Sequence, residues 1–232
     1  MRQSTAEGSE RATTQEIILD AAEEIFAESG FHGATTRAIA EKAQANAALI
    51  HYYFGNKENL FEAVFARRAE AINDARRARL GELHRCGAVT LEAILDALLR
   101  PTVLLGRDPA RGGAHYARLV VHVASGTDER SRRMTGERYN AIALRFIDEI
   151  GAVTPGLSRA EAVRCYMNAI AIGMSLMAPT GRAEDLSQGA LNDDNLDTVI
   201  AGAVRFIAAG TRALATSGRG GGGTDTLPGT AP

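Results

Sequence analysis

The chain has 232 residues, 45% of them hydrophobic, and a formal charge of −2 at neutral pH. That is apolar material for one large core or two modest ones, while a charge so close to neutral is poor, taken whole, for a nucleic-acid binder. Cys86 and Cys165 stand far apart with no C-x-x-C spacing, so neither a zinc site nor a redox pair is indicated, and no metal or cofactor is expected.

The first thirty residues carry charge throughout with no apolar signal region, and no uninterrupted run of eighteen apolar residues occurs after them. A soluble, cytoplasmic protein with no membrane segment is the expectation. Residues 1–10 read as a flexible end. Charge is unevenly spread after that: residues 11–34 hold one arginine against five acids, whereas residues 35–57 set Arg37, Lys42 and Lys57 against Glu41 alone. The acid lies on the first helix and the base on the segment after it.

Thr35 or Thr36 can cap a short helix whose Ile39, Ala40 and Ala43 share a buried face. Gln44 to Asn46 break that pattern, and Asn46 can cap a second helix over 47–54, with Ala48 small enough for close approach of its neighbour. Two short helices punctuated this way form a helix-turn-helix, with the second helix as reader. Leu49, His51, Tyr52 and Tyr53 there combine apolar surface with imidazole and hydroxyl groups, which suit thymine methyls, base edges and phosphates. Tyr52, taken singly, reads better as a packing residue. Gly55 closes the helix, Asn56 caps the next, and Lys57 in its first turn reads as a phosphate clamp.

The rest of the chain reads as helix after helix without strand alternation. Arg67 to Arg85 holds six arginines and three acids and reads as a solvated helix face. Thr90 caps 91–105, which Pro101 is expected to kink or divide, and 106–113 is a loop carrying Pro109. Helices over 115–124 and roughly 128–150 come next, and then one capped by Ser158 with Glu161 at the capping-box position. A mobile acidic loop is expected over 179–192. Asp193 or Asn195 begins a last helix through Val199, Val204, Phe206 and Leu214. The tail from Ser217 has no apolar face and reads as disordered, and its glycine run lacks the strand, lysine and helix of a phosphate loop.

Residues Thr14 to about Phe65 resemble the N-terminal domain of the TetR family of transcriptional regulators. The first helix is matched by Ile17-Ile18-x-x-Ala21-Ala22-x-x-Ile25-Phe26-x-x-x-Gly30-Phe31, and the second by Thr35-Thr36-Arg37-x-Ile39-Ala40. Leu49 through Glu58, then Leu60, match the third and the start of the fourth. Gln44 stands where the family usually has glycine, Ala45 where it has valine, and His51 where it more often has tyrosine.

The resemblance implies an all-α protein. An N-terminal three-helix helix-turn-helix DNA-binding domain (residues 11–66) would precede a C-terminal helical ligand-binding and dimerisation domain (67–216). Implied DNA contacts are Thr36, Arg37, Asn46, Ala47, Ala48, Leu49, His51, Tyr53 and Lys57. The implied function is repression, with a homodimer held by the two C-terminal helices on the double-stranded DNA of an inverted-repeat operator and released by a small-molecule effector. Candidates for the effector pocket are Tyr116, His122, Met134, Tyr139, Phe146, Met167, Asn168 and Met174, though methionines and aromatics at helical spacing are more often core. His115, Arg118 and His122 share one face, where two histidines two turns apart are too distant for one metal ion without further ligands. An activator, or a ligand-sequestering dimer without a repressor role, is the alternative. No H-E-x-x-H, G-x-S-x-G or Cys–His pairing argues for an enzyme.

Overall fold

The computed structural model describes residues 3–178, 180–191 and 193–217, all helix or connecting turn, with no strand among them. In chain order these described residues form ten helices: α1 (Gln3–Gly33), α2 (Thr36–Lys42), α3 (Ala47–Phe54), α4 (Lys57–Arg85), α5 (Leu91–Gly106), α6 (Gly113–Ser125), α7 (Glu129–Val153), α8 (Arg159–Met177), α9 (Arg182–Leu186) and α10 (Leu196–Ser217). A 3-10 turn, Pro109–Arg111, joins α5 to α6.

Most starts are legible in the sequence because a polar side chain is bonded to the first turn. Thr35 accepts from the backbone of Ala38 at 3.1 Å, Asn46 from Ala48 at 2.9 Å and Asn56 from Asn59 at 2.7 Å. Thr90 accepts from Ala93, Asp128 from Ser131 and Asn195 from Thr198. Ser158 and Glu161 complete a reciprocal capping box.

Three expectations need correction. Helical backbone already begins at Gln3, inside the segment read as a flexible end, because adding residues to a formed helix costs little once Ile18, Ala22 and Phe26 anchor it. The 179–192 loop contains α9 and is not free chain throughout. Pro101 does not divide α5: the helix runs through it. The disordered tail, expected from Ser217 on, lies outside the described residues over 218–232.

Two cores form. The first joins Ile18, Ala22 and Phe26 of α1, Ile39 of α2, Ile50 and Phe54 of α3 and Leu60, Val64 and Phe65 of α4 to Tyr116 and Val120 of α6. The second packs α5 (Ile94, Leu95, Leu98) against Phe146 and Ile150 of α7, Tyr166 and Ala169 of α8 and Ile200 and Val204 of α10. Because α4 is one continuous helix serving both cores, a boundary at residue 66 falls inside a rigid element. At Gly113 α6 comes close to the end of α5, since a Cβ there would lie 2.4 Å from Leu105 O.

By length and composition α10 could cross a membrane, with mean hydropathy 1.3 over Leu196–Thr216. Its Ile200, Val204, Ile207, Ala208 and Thr211 are instead buried, its core contacts are with α5 and α8, and Arg212 pairs with Glu92 at 2.6 Å. The opposite side leaves Phe206 74% exposed, and α8 presents Val163 and Met167. That apolar surface is available for another chain.

Two measurements check this packing. Phe146 is fully buried, so Phe146→Ala should lower unfolding free energy by about 3–5 kcal/mol in urea melts followed by far-UV circular dichroism. Burial raises the Asp96 pKa, but hydrogen bonds and charge from Arg100 and Arg79 outweigh it and hold the carboxyl below its ordinary 3.8. A depressed carboxyl contributes stability above its unfolded value and loses it as pH falls through the folded one. Asp96→Asn should therefore flatten the acid limb of the stability profile below about pH 4.

Candidate nucleic-acid interface and helical pocket

The α2–α3 pair has a clear inner and outer face. Ile39, Ala40, Ile50 and Phe54 point into the core, and Ala45, Leu49 and Tyr53 are partly buried against it. Arg37, Asn46, Ala47, Ala48 and His51 are exposed, and Thr36 is half-buried at the start of α2. Ala48 therefore faces outward and does not sit beneath a neighbouring helix as expected. With Ala47 it leaves the capped N-terminal turn of α3 unobstructed, so that its backbone can come close to a surface.

Tyr52 corrects the sequence reading: it is 67% exposed, with its ring edge-on to Tyr53 at 5.1 Å. On α3 it lies opposite the buried Ile50–Phe54 edge, and that 3.6-residue geometry is the signal for it. His51 Nδ1 lies 2.9 Å from Gly55 O. A carbonyl carries no proton, so Nδ1–H is the donor, and Nε2 of a neutral ring is left as an outward-facing acceptor, suited to an exocyclic base amine.

Lys57, expected as a phosphate clamp, is also engaged within the protein. Its ammonium donates to Phe31 O and Ala34 O, each at 2.9 Å, and lies 4.5 Å from the centre of the Phe31 ring. Two of its three donors thus satisfy carbonyls at the end of α1 and fasten α4 to it. Arg37 is paired with Glu41 on the α2 surface at 3.0 Å, and Lys42 with Glu24 of α1. At Gln44 the backbone takes φ +50°, the left-handed conformation that glycine adopts freely.

A cavity of about 180 Å³ lies among α4 to α8, lined by Phe65, Ile72, Arg76, Leu99, Tyr116, Tyr139, Tyr166, Met167 and Met174 with others. Four expected pocket residues line it: Tyr116, Tyr139, Met167 and Met174. Four do not. His122 and Asn168 are exposed, and Met134 and Phe146 are buried in the first and second cores. For Met134 and Phe146 helical periodicity marks an inner face but not whether a partner fills the space beside it, whereas His122 and Asn168 lie on outer faces.

Sequence reasoning also misses Arg76, which reads as part of a solvated arginine face. It is 3% exposed and lines the cavity. Burial pushes its pKa below the usual guanidinium value, against the opposing influence of Tyr166, Tyr139 and Tyr116. Arg68 also departs from the solvated reading, being half-buried and paired with buried Glu23. A wider, more open cleft of about 510 Å³ lies at the ends of α5, α6 and α8, lined by Arg107, Arg118 and Met177 among others. His115 does not join His122. Its ring lies close to Glu24 and Glu28, where ligand atoms fall within 4.8 Å of one another, but Glu24 is already engaged by Lys42.

The fold and site define a two-part helical protein: a helix-turn-helix head mounted through α4 on a helical body that contains a pocket. Residues 18–64 match the family described as bacterial regulatory proteins, tetR family, and residues 96–210 match the tetracyclin repressor-like C-terminal domain. The chain belongs to the TetR family of transcriptional regulators.

It is 37% identical over 75 residues to the HTH-type transcriptional repressor AcnR of Corynebacterium glutamicum, a match covering 31% of this chain and 40% of that protein's length. Identity to the HTH-type transcriptional regulator UidR of Escherichia coli is 24% over 200 residues, 83% of this chain and 94% of the relative. The solved regulator FadR from Bacillus subtilis, in complex with stearoyl-CoA, superposes with a TM-score of 0.61 at 16% identity, over 84% of this chain and 98% of that one. That last likeness is one of fold.

Lys57→Ala should cost about 1–3 kcal/mol of stability, because it strands two carbonyls, and should show as a lower thermal midpoint without DNA. Gln44→Gly should raise that midpoint, by relief of about 1 kcal/mol of backbone strain.

Proposed function

We propose that the chain is a sequence-specific DNA-binding transcriptional repressor, working in the cytoplasm as a homodimer on an inverted-repeat operator and released by a small-molecule effector. The observation that carries this is the outer face of α3, where exposed Ala47, Ala48, His51 and Tyr52 surround a capped helix start. Such a face fits a major groove, with small residues allowing approach and polar tips reaching base edges. The likeness of this head to AcnR, a transcriptional repressor, supports the same reading.

Few cations face outward on this head, and Arg37 and Lys42 are each engaged with a glutamate. One protomer therefore gains little from neutralising phosphates, and useful affinity needs two heads on one duplex. The exposed apolar side of α8 and α10, with Val163, Met167 and Phe206, is the surface we assign to the second copy. Two reading helices would then address half-sites about 34 to 36 Å apart. We assign the 11–66 segment to DNA and the 67–216 segment to effector binding and dimerisation, with α4 as the lever common to both.

Three connections run from the pocket to the head. α4 carries Arg76 in the pocket and Lys57 at α1. α6 carries Tyr116, and just before it Arg111 O accepts from Arg68 at 2.5 Å, the arginine that holds Glu23 of α1. α7 carries Tyr139, and near its start Arg130 stacks 4.0 Å from the Phe31 ring and donates to Glu58 O. An effector preferring a body with these helices shifted would lower DNA affinity tenfold for each ~1.4 kcal/mol of preference.

Fluorescence anisotropy on DNA flanking its own gene, over a salt series, tests the reading. Selective binding by about 10³ over a scrambled duplex, weakening with salt, is expected, and equal binding to both rejects it. His51→Ala, Tyr52→Ala or Tyr53→Ala should narrow the ratio between operator and scrambled DNA, whereas Arg37→Ala should weaken both alike. Phe206→Glu should convert a dimer to a monomer in light scattering and weaken operator binding with it.

A further inference from the structure

Arg76 is a cation in an apolar cavity with no anion beside it. Its Nε donates to Leu98 O at 3.0 Å and its Nη2 to Thr102 Oγ1 at 2.9 Å, both neutral acceptors. Nη1 has no hydrogen-bond partner among the described residues, and no carboxylate of those residues forms an ion pair with this guanidinium. The contrast within α4 is sharp, since Arg67 and Arg68 share the buried carboxylate of Glu23. A guanidinium stays charged even where burial opposes it, and leaving it unpaired in low dielectric is costly.

Hydroxyl donors surround the same space. Tyr116 and Tyr139 oxygens are 3.3 Å apart, so one proton is used between them and the other remains to be donated. The Tyr166 hydroxyl makes no hydrogen bond to the described residues. Burial raises the pKa of all three phenols, which keeps them protonated donors at neutral pH. The remaining walls include Phe65, Ile72, Leu99 and Val120. An acceptor that carries negative charge and brings an apolar body suits each of these surroundings.

Size narrows the class. A cavity near 180 Å³ is close to one of about 150 Å³ that accepts benzene, enough for one ring or a short chain. A nucleotide-bearing thioester is larger than that volume.

Resting on the effector-released reading above, we propose that the ligand is a compact apolar monocarboxylate, its head paired with Arg76 Nη1 and a tyrosine hydroxyl and its ring or short chain among the apolar walls.

The test is calorimetric titration of the full chain with benzoate, phenylacetate, cinnamate, hexanoate and octanoate, each beside its primary amide. At least one acid should bind tenfold or more tightly than its amide. Arg76→Met, which keeps the bulk and removes the buried charge, should abolish that preference with the fold intact by circular dichroism. Tyr139→Phe provides a milder second variant, lowering acid affinity severalfold and leaving amide affinity unchanged.

Equal affinity for acid and amide, no binding of any acid, or an unchanged preference in a folded Arg76→Met protein overturns the proposal. Parallel anisotropy on operator DNA separates the two readings. Selective DNA binding released by an amide as readily as by its acid leaves the repressor standing and removes the carboxylate site. An Arg76-dependent acid preference in a protein that binds no DNA selectively does the reverse.

Discussion

The carboxylate of Glu23 is the point on which the head depends. It is 2% exposed on α1, accepts from Arg68 Nε and Nη2 at 2.8 Å each and from Arg67 Nη2 at 3.1 Å. Burial alone lowers the Arg68 pKa, yet hydrogen bonding and charge from Glu23 more than compensate and the net movement is upward. Such a forked pair holds direction as well as distance. Since Arg68 also reaches Arg111 O, one buried charge fixes α1, α4 and the turn before α6 relative to each other. Removing either sign would leave the other stranded, which is far more costly than never having had the pair.

Around that clamp the molecule is arranged as two cores sharing a rod. Leu60 to Phe65 of α4 enter the first core and Leu80 the second, so the rod cannot turn for one without disturbing the other. Close-packed interiors respond to such a demand by moving between discrete arrangements. Lys57 and Arg130 converge on Phe31 from α4 and α7, and the end of α1 therefore feels both helices. The pocket lies where those helices meet α5, α6 and α8.

Much of the architecture is legible in the chain. Helix starts at Thr35, Asn46, Asn56, Thr90, Asp128 and Ser158 are visible because a cap is a local interaction between residues two or three apart. The helix-turn-helix is legible for the same reason, with a cap, a break and a cap within about twenty residues. Direction is where sequence reasoning fails. Tyr52 and Ala48 read as inward and face out, while Arg76 reads as outward and is buried and Arg68 reads as outward and is half-buried against Glu23. On so short a helix a turn of about a hundred degrees decides between solvent and core, and only the placement of α1 and α4 says where the core is.

By itself the sequence determined the secondary structure, the order of its elements and their membership in a family, because capping, periodicity and spaced motifs are properties of short stretches of chain. Tertiary structure alone decided which charges are partnered. Glu23 meets Arg68 across 45 positions, Lys57 meets Phe31 O across 26, and Arg76 meets no carboxylate among the described residues. An arginine in a run of six looks like its neighbours until packing removes the water around one of them, and it is the loss of water that makes its charge a feature a ligand can answer.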